Sequence, residues 1–225
     1  MSFGGGTTPA IARTTANHPA SFSYSPKSGV TEMETWIYSA DLITDVGDLS
    51  GFYPNEIDFS KATKLQNLKI GSGEQGYSNT NLRALNVQNC LLLENIDVRN
   101  CPNLAINVNL ENSTRLKSAL FEGSSITGVD LADGGVLETL HLPATVAQLT
   151  LLNLSKLSDL QIASYSNITR LMIANMNHLI NPQTILGMVP ANTEINIVGI
   201  DLTYDTYEEI KAFYDLLDTM KGITR

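Results

Sequence analysis

The chain has 225 residues, with 14 Lys+Arg against 23 Asp+Glu and a formal net charge of −9 at pH 7. That balance argues against a nucleic-acid partner, because a phosphate-binding surface needs clustered Lys and Arg and the sequence holds no basic cluster. No apolar run is long enough to cross a bilayer, and the first residues lack the charged-then-apolar order of a secretory signal. The expectation is therefore no membrane insertion, and a protein made and kept in a cytoplasm until something releases it.

Residues 1–30 are rich in Gly, Ser, Thr, Ala and Pro, including Gly4-Gly5-Gly6 and Ser25-Pro26-Lys27-Ser28-Gly29. Such a segment is too poor in apolar surface to offset its own ordering entropy. It reads either as a loose leader or as an assembly arm that orders on a neighbouring subunit, with Phe22 and Tyr24 as its anchors. From Met33 to Leu49 the chain reads as a capping element, with Trp36-Ile37-Tyr38 as a strand and Leu42-Ile43-x-x-Val46 starting the repeats. The first unit of a stacked array exposes a raw face, so an atypical cap is required there.

Self-similarity then dominates. Leu82-x-x-Leu85-x-Val87-x-Asn89 is followed by Leu93-x-x-Ile96-x-Val98, Ile126-x-x-Val129-x-Leu131, Leu137-x-x-Leu140-x-Leu142, Val146-x-x-Leu149-x-Leu151, Leu157-x-x-Leu160-x-Ile162 and Ile168-x-x-Leu171-x-Ile173. The last apolar residue of each unit falls at Val87, Val98, Leu110, Phe121, Leu131, Leu142, Leu151, Ile162 and Ile173, steps of 9 to 12 residues. Alternate units are 20 to 23 residues apart, so one unit is half a coil. Within each apolar-x-apolar triplet two side chains share one face and the middle one takes the other, the period-2 mark of a strand. Asn89, Asn112, Asp133, Asn153 and Asn175 follow two residues later in one alternate series, and are expected to stack as a ladder inside the solenoid edge.

Between Ile70 and Leu82 the spacing breaks at Gly71-Ser72-Gly73-Glu74-Gln75-Gly76-Tyr77. The glycines match G-x-G-x-x-G after a strand, the dinucleotide fingerprint. That motif works because a helix follows and aims its N-terminal amides at the pyrophosphate, whereas residues 82–87 read as another strand and Glu74 would oppose a phosphate. A surface loop, with Tyr77 as a contact residue, is the expectation. Cys90 and Cys101 lie one half-coil apart, which places them on different sides of the coil, too distant for a disulfide. With no accompanying His or Cys they do not make a zinc site, and read as buried thiols. His18, His141 and His178 are scattered, and no catalytic set is indicated by local spacing. No cofactor, metal or catalytic residue is expected.

Towards the end, Asn181-Pro182 caps a short helical turn, and Glu194-Ile195-Asn196-Ile197 supplies a further strand. Tyr207, Ile210, Phe213, Tyr214, Leu217 and Met220 are spaced by three and four, which predicts an amphipathic helix acting as a lid on the last coil.

The array resembles leucine-rich repeats, whose pattern is L-x-x-L-x-L-x-x-N/C. Cys90 and Cys101 occupy the ninth position of that pattern, while Ser113, Gly134, Leu154 and Met176 stand there in later units. Leu137-x-x-Leu140-x-Leu142-Pro143-x-x-Val146-x-x-Leu149 resembles the bacterial surface-protein subclass. Residues 71–77, 100–104, 137–143 and 199–201 together resemble repeat domains of tail or other virion proteins of bacteriophages of gut bacteria. The resemblance implies a mainly β solenoid of about 22-residue coils, each of two short strands, with a C-terminal capping helix. The expected domains are 1–30 (flexible arm), 31–202 (solenoid) and 203–225 (helix). It also implies a non-enzymatic module of a virion, tail or decoration, for assembly or host attachment; the alternative is a bacterial cell-surface adhesin. Partners would be other virion proteins or a host-surface glycan or protein, with many copies, or a homo-oligomer, in the particle.

Such a module binds through the outward residues at its strand centres. These are Asn86, Asn109, Asp130, Thr150 and Met172 in one series and Asp97, Leu120, His141 and Gln161 in the other. Both ribbons are polar and lack aromatic anchors, which suits glycans or weak contacts in many copies better than a tight apolar interface.

Overall fold

A computed structural model describes residues 42–46, 49, 54–163, 167–175, 190 and 193–198, with Ser2–Phe3, Thr35–Trp36 and five positions between 208 and 218. The chain gathers into two compact units, Met1–Ala40 and Asp41–Arg225. In the first, β1 (Ser2–Phe3) pairs antiparallel with β2 (Thr35–Trp36). Phe22 and Tyr24, the expected anchors of the arm, lie outside the described residues.

The second unit is a parallel β-solenoid of about six turns. One face is a single six-stranded sheet made by β3 (Asp45–Val46), β5 (Asn67–Lys69), β7 (Asn95–Asp97), β9 (Ser118–Leu120), β11 (Thr139–Leu142) and β13 (Asp159–Ile162), paired in that order. The other face carries β4 (Glu56–Asp58), β6 (Ala84–Asn86), β8 (Asn107–Leu110), β10 (Gly128–Leu131), β12 (Gln148–Leu152), β14 (Arg170–Ala174) and β15 (Glu194–Val198). There the pairing is broken into β4-β6, β8-β10 and β12-β14-β15. The series expected to run from Asn86 to Met172 as one ribbon is therefore divided among three sheets.

The alternation seen in the sequence is what closes the coil. Leu68, Ile96, Ala119 and Leu140 are in register on the inner side of the six-stranded sheet, all at 2% exposure or less. Val108, Leu149 and Leu171 face them from the other side, equally buried. Leu65, Leu93, Leu116, Leu137 and Leu157 fill the corners. Each full burial of such a side chain contributes roughly 1.5–3 kcal/mol, so a leucine every half-coil holds the array together where no single coil has a core of its own. Leu42, expected to open the repeats, is exposed, and pairing starts at β3.

The corners are built from two successive tight turns. Cys90 N donates to Val87 O (3.0 Å) and Leu93 N to Cys90 O (3.1 Å), and Ser113 and Leu116 repeat the arrangement after Leu110 (2.9 and 3.0 Å). This geometry corrects the expected inner ladder. Asn89, Asn112, Asp133 and Asn175 are exposed and Asn153 is half-exposed. It is the next residue in the turn that points inward, as Cys90, Ser113 and Leu154 do. Asn153 and Asn175 take φ of 54° and 53°, a left-handed conformation that asparagine tolerates better than most residues. Their series still links coils from outside: Asn112 Nδ2 donates to Gln88 O and Asn153 Nδ2 to Asp133 Oδ1.

The 181–186 turn lies outside the described residues. Of residues 203–225, Glu208, Lys211, Ala212, Asp215 and Asp218 are described, each in helical conformation. A Lys211–Asp215 ion pair spans one turn there (2.5 Å). The apolar residues on which the lid reading depends are not among them.

Candidate functional site

The outer surface of the six-stranded sheet carries three groups of hydrogen-bonded polar side chains, assembled by register. A strand shows outward residues two apart, and parallel pairing aligns them from coil to coil. Asp45, Asn67 and Asn95 share one row. Asn67 Nδ2 donates to Asp45 Oδ1, and Asn95 Nδ2 donates to Asn67 Oδ1 at 2.6 Å. A ladder of short amides thus exists, at the first outward position of these strands and not at the corner where the sequence placed it.

Two positions further along the strands the charge density rises. Asp97 Oδ1 accepts from the backbone N (3.1 Å) and Nε (3.0 Å) of Arg99, and Oδ2 accepts from Nη2 (2.7 Å). The hydrogen bond that Arg99 donates to Asp97, with the nearby charge of Glu122 adding to it, holds Arg99 still more firmly in its charged form. His141 is in register with Leu120 and Gln161, so its ring reaches diagonally in both directions. Nδ1 lies 2.5 Å from Glu122 Oε1, two residues beyond Leu120, and Nε2 lies 2.8 Å from Asp159 Oδ2, two residues before Gln161. Gln161 Nε2 donates to the other Asp159 oxygen at 3.1 Å. The imidazole is well covered, with 14% of its side chain exposed against 36% for Glu122 and 46% for Asp159. Glu122 Oε2 is buried without a hydrogen-bond partner.

His141's hydrogen bond is the main reason the Asp159 carboxyl is held below its ordinary value, with a smaller push from Gln161. A carboxylate depressed on folding contributes stability that is in place above its unfolded value and is lost as pH falls through the folded one. At this exposure solvent screening keeps the contribution small.

His141 and Gln161, both expected on this surface, are thus brought together. Asn86 and Asn109 belong to the other face, and each spends its side-chain oxygen on a local turn: Gln88 N donates to Asn86 Oδ1 (3.3 Å) and Glu111 N to Asn109 Oδ1 (3.1 Å). Asp130 accepts from Asn107 Nδ2. Thr150 and Met172 are neighbours in register on β12 and β14. Sequence reasoning missed Glu122, Asp159 and Arg99, though a signal existed. Each stands two residues from a recognised outward position, and extending the period-2 pattern by one step on either side of the triplet reaches all three.

The 71–77 loop rests on this surface. Gly71 N donates to Asp97 O (3.0 Å), and a Cβ on Gly71 would overlap the backbone N and O of Arg99. A Cβ on Gly73 would run into the Arg99 guanidinium, with Cζ at 2.8 Å. Tyr77 is half-buried and its hydroxyl donates to Ile70 O at 2.8 Å, pinning the loop's end to its start. Gly76, at φ 86°, makes the turn. The next regular element is strand β6, so no helix N-terminus faces the loop. Two of the three glycines are explained by the space that Arg99 needs. We therefore expect no saturable nucleotide binding by calorimetry; binding that disappears in Gly73→Ala would contradict this.

Cys90 and Cys101 are free and fully buried. Burial is the larger cause, and a nearby carboxylate the smaller, that pushes the Cys90 thiol up to about 11 and the Cys101 thiol up to about 12. Both are therefore unreactive at neutral pH. Among the described residues no group of three or more His, Cys, Asp or Glu is arranged to hold a metal ion. No helix among them is long and apolar enough to cross a membrane. The chain matches no protein-family profile, no curated protein and no solved structure.

Proposed function

We propose that the chain is a non-enzymatic binding and assembly module of the leucine-rich-repeat type, carried by a bacteriophage virion as a tail or decoration component. One observation carries the binding reading. The six-stranded sheet runs unbroken, and two groups of its outward side chains, Asp45–Asn67–Asn95 and Glu122–His141–Asp159–Gln161, are hydrogen-bonded within themselves before any partner arrives. Groups fixed in this way lose little freedom on binding, which favours recognition of a polar, hydroxyl-rich partner such as a host-surface glycan. A polar face without aromatic anchors binds weakly per copy, and a particle displaying many copies multiplies it. The virion part of the reading rests on the sequence texture of residues 71–77, 100–104, 137–143 and 199–201. In the same reading residues 203–225 close the last coil as a helix and residues 1–30 attach the body to the particle.

Two measurements test this. Particles assembled with protein lacking residues 1–28 are expected to be without the solenoid, although the truncated chain folds; normal incorporation would move attachment to the C-terminal segment. Multivalent display of the whole chain on a bead should retain host-surface glycans, and His141→Ala with Gln161→Ala should abolish that retention. Equal retention by the double variant would remove the six-stranded face from consideration.

A further inference from the structure

Both ring nitrogens of His141 face carboxylate oxygens. A carboxylate can only accept, so both contacts are hydrogen bonds only when both nitrogens carry a proton, that is, when the ring is an imidazolium. A neutral ring has one N–H and one lone pair, and the lone pair repels whichever carboxylate it meets. We propose that Glu122, His141 and Asp159 form a proton-operated staple across three consecutive coils, closed with the imidazolium and opened at its Asp159 arm when the ring gives its proton to solvent. The inference rests on the geometry of the cluster and is independent of what the face binds.

The surroundings decide which arm opens. Glu122 has its second oxygen buried and unpartnered, and it sits near the Arg99 charge, so it depends on His141 for its one hydrogen bond and is held in place. Asp159 is more exposed and keeps the Gln161 amide on its other oxygen when His141 lets go. The neutral ring therefore keeps its proton on Nδ1 toward Glu122 and turns its lone pair toward Asp159, whose carboxylate swings into water. Among the described residues the charged groups that meet the ring are Glu122 from the β9 side and Asp159 from β13, with the Asp97–Arg99 pair beyond Glu122. With the ring charged and with it neutral, the face therefore presents different charge and a different β11–β13 edge.

The test follows the ring nitrogens of His141 in the whole, 15N-labelled chain by two-bond proton–nitrogen spectra. The expected result is an imidazolium with two N–H signals on the acid side and loss of the Nε2 proton alone on the basic side. Asp159→Asn should keep the Nδ1–H form, whereas Glu122→Ala should switch the ring to Nε2–H. Exchange protection of the β13 amides should fall on the basic side in the native chain and stay flat in Asp159→Asn. An Nε2–H ring in the native protein on the basic side, the same form in Glu122→Ala as in the native chain, or β13 protection indifferent to pH would each overturn the proposal. Should Glu122→Ala fail to fold, the native spectrum and Asp159→Asn still decide it.

Discussion

Leu140→Ala is expected to destabilise the solenoid by about 2–5 kcal/mol, with Leu171→Ala in the same range. Both residues are completely buried, one on the inner side of each face, and each stacks in register between inward residues of the coils before and after: Ala119 and Leu160 for Leu140, Leu149 and Ile195 for Leu171. A coil cannot collapse onto the vacated space without pulling its strand out of the parallel ladder, so relaxation recovers little. Gln161, exposed on the outer side of β13, gives up a single amide contact to Asp159, and Gln161→Ala should cost no more than a few tenths of a kcal/mol. Urea unfolding of the three variants checks the register; equal midpoints would contradict the assignment of inner and outer positions.

Gly71→Ala is the second large effect, at about 3 kcal/mol. The added methyl would overlap the backbone of Arg99 and lie 2.7 Å from the carbonyl carbon of Val98. Backbone in a paired coil cannot move aside without breaking the bonds from Ile70 N and Gly71 N to Asp97 O (2.9 and 3.0 Å). Gly73→Ala meets only the end of the Arg99 side chain, which can swing away, and should cost about 1 kcal/mol, part of it from disturbing the fork on Asp97. Thermal unfolding of the pair separates the cases. If Gly73 proves the more sensitive, the loop does not pack on Arg99 as described.

The solenoid was legible because its physics is local. A strand's inner residues recur every second position and a coil's leucines every half-turn, and both spacings survive in the linear order. The candidate site was legible only in part, because its contacts are diagonal. Glu122, His141 and Asp159 meet across coils whose lengths differ. From Ala119 to Leu140 the coil takes 21 residues and from Leu140 to Leu160 it takes 20, while elsewhere in the same sheet Leu68 to Ile96 takes 28, so no fixed offset in sequence marks which residues share a row. The misplaced asparagine ladder has another cause. The double turn after Val87 and after Leu110 directs the residue that follows the asparagine, Cys90 or Ser113, inward, a fact of backbone geometry that side-chain type does not encode. The division of the second face into three sheets likewise depends on pairing geometry between β6 and β8 and between β10 and β12, where the apolar pattern continues without a break.

The row formed by Asp45, Asn67 and Asn95 has a direction. Each amide presents its N–H end toward the first coil and its carbonyl toward the next, and the aspartate, which has no proton to offer, terminates the series. Aligned in this way, the amide dipoles polarise one another and place their positive ends against the carboxylate. A single acidic residue at the head of the row thereby sets the orientation of every amide behind it. The two ends of this three-residue row are therefore electrically unlike, a carboxylate at Asp45 and an amide carbonyl at Asn95, which gives that stretch of an otherwise repetitive surface a front and a back.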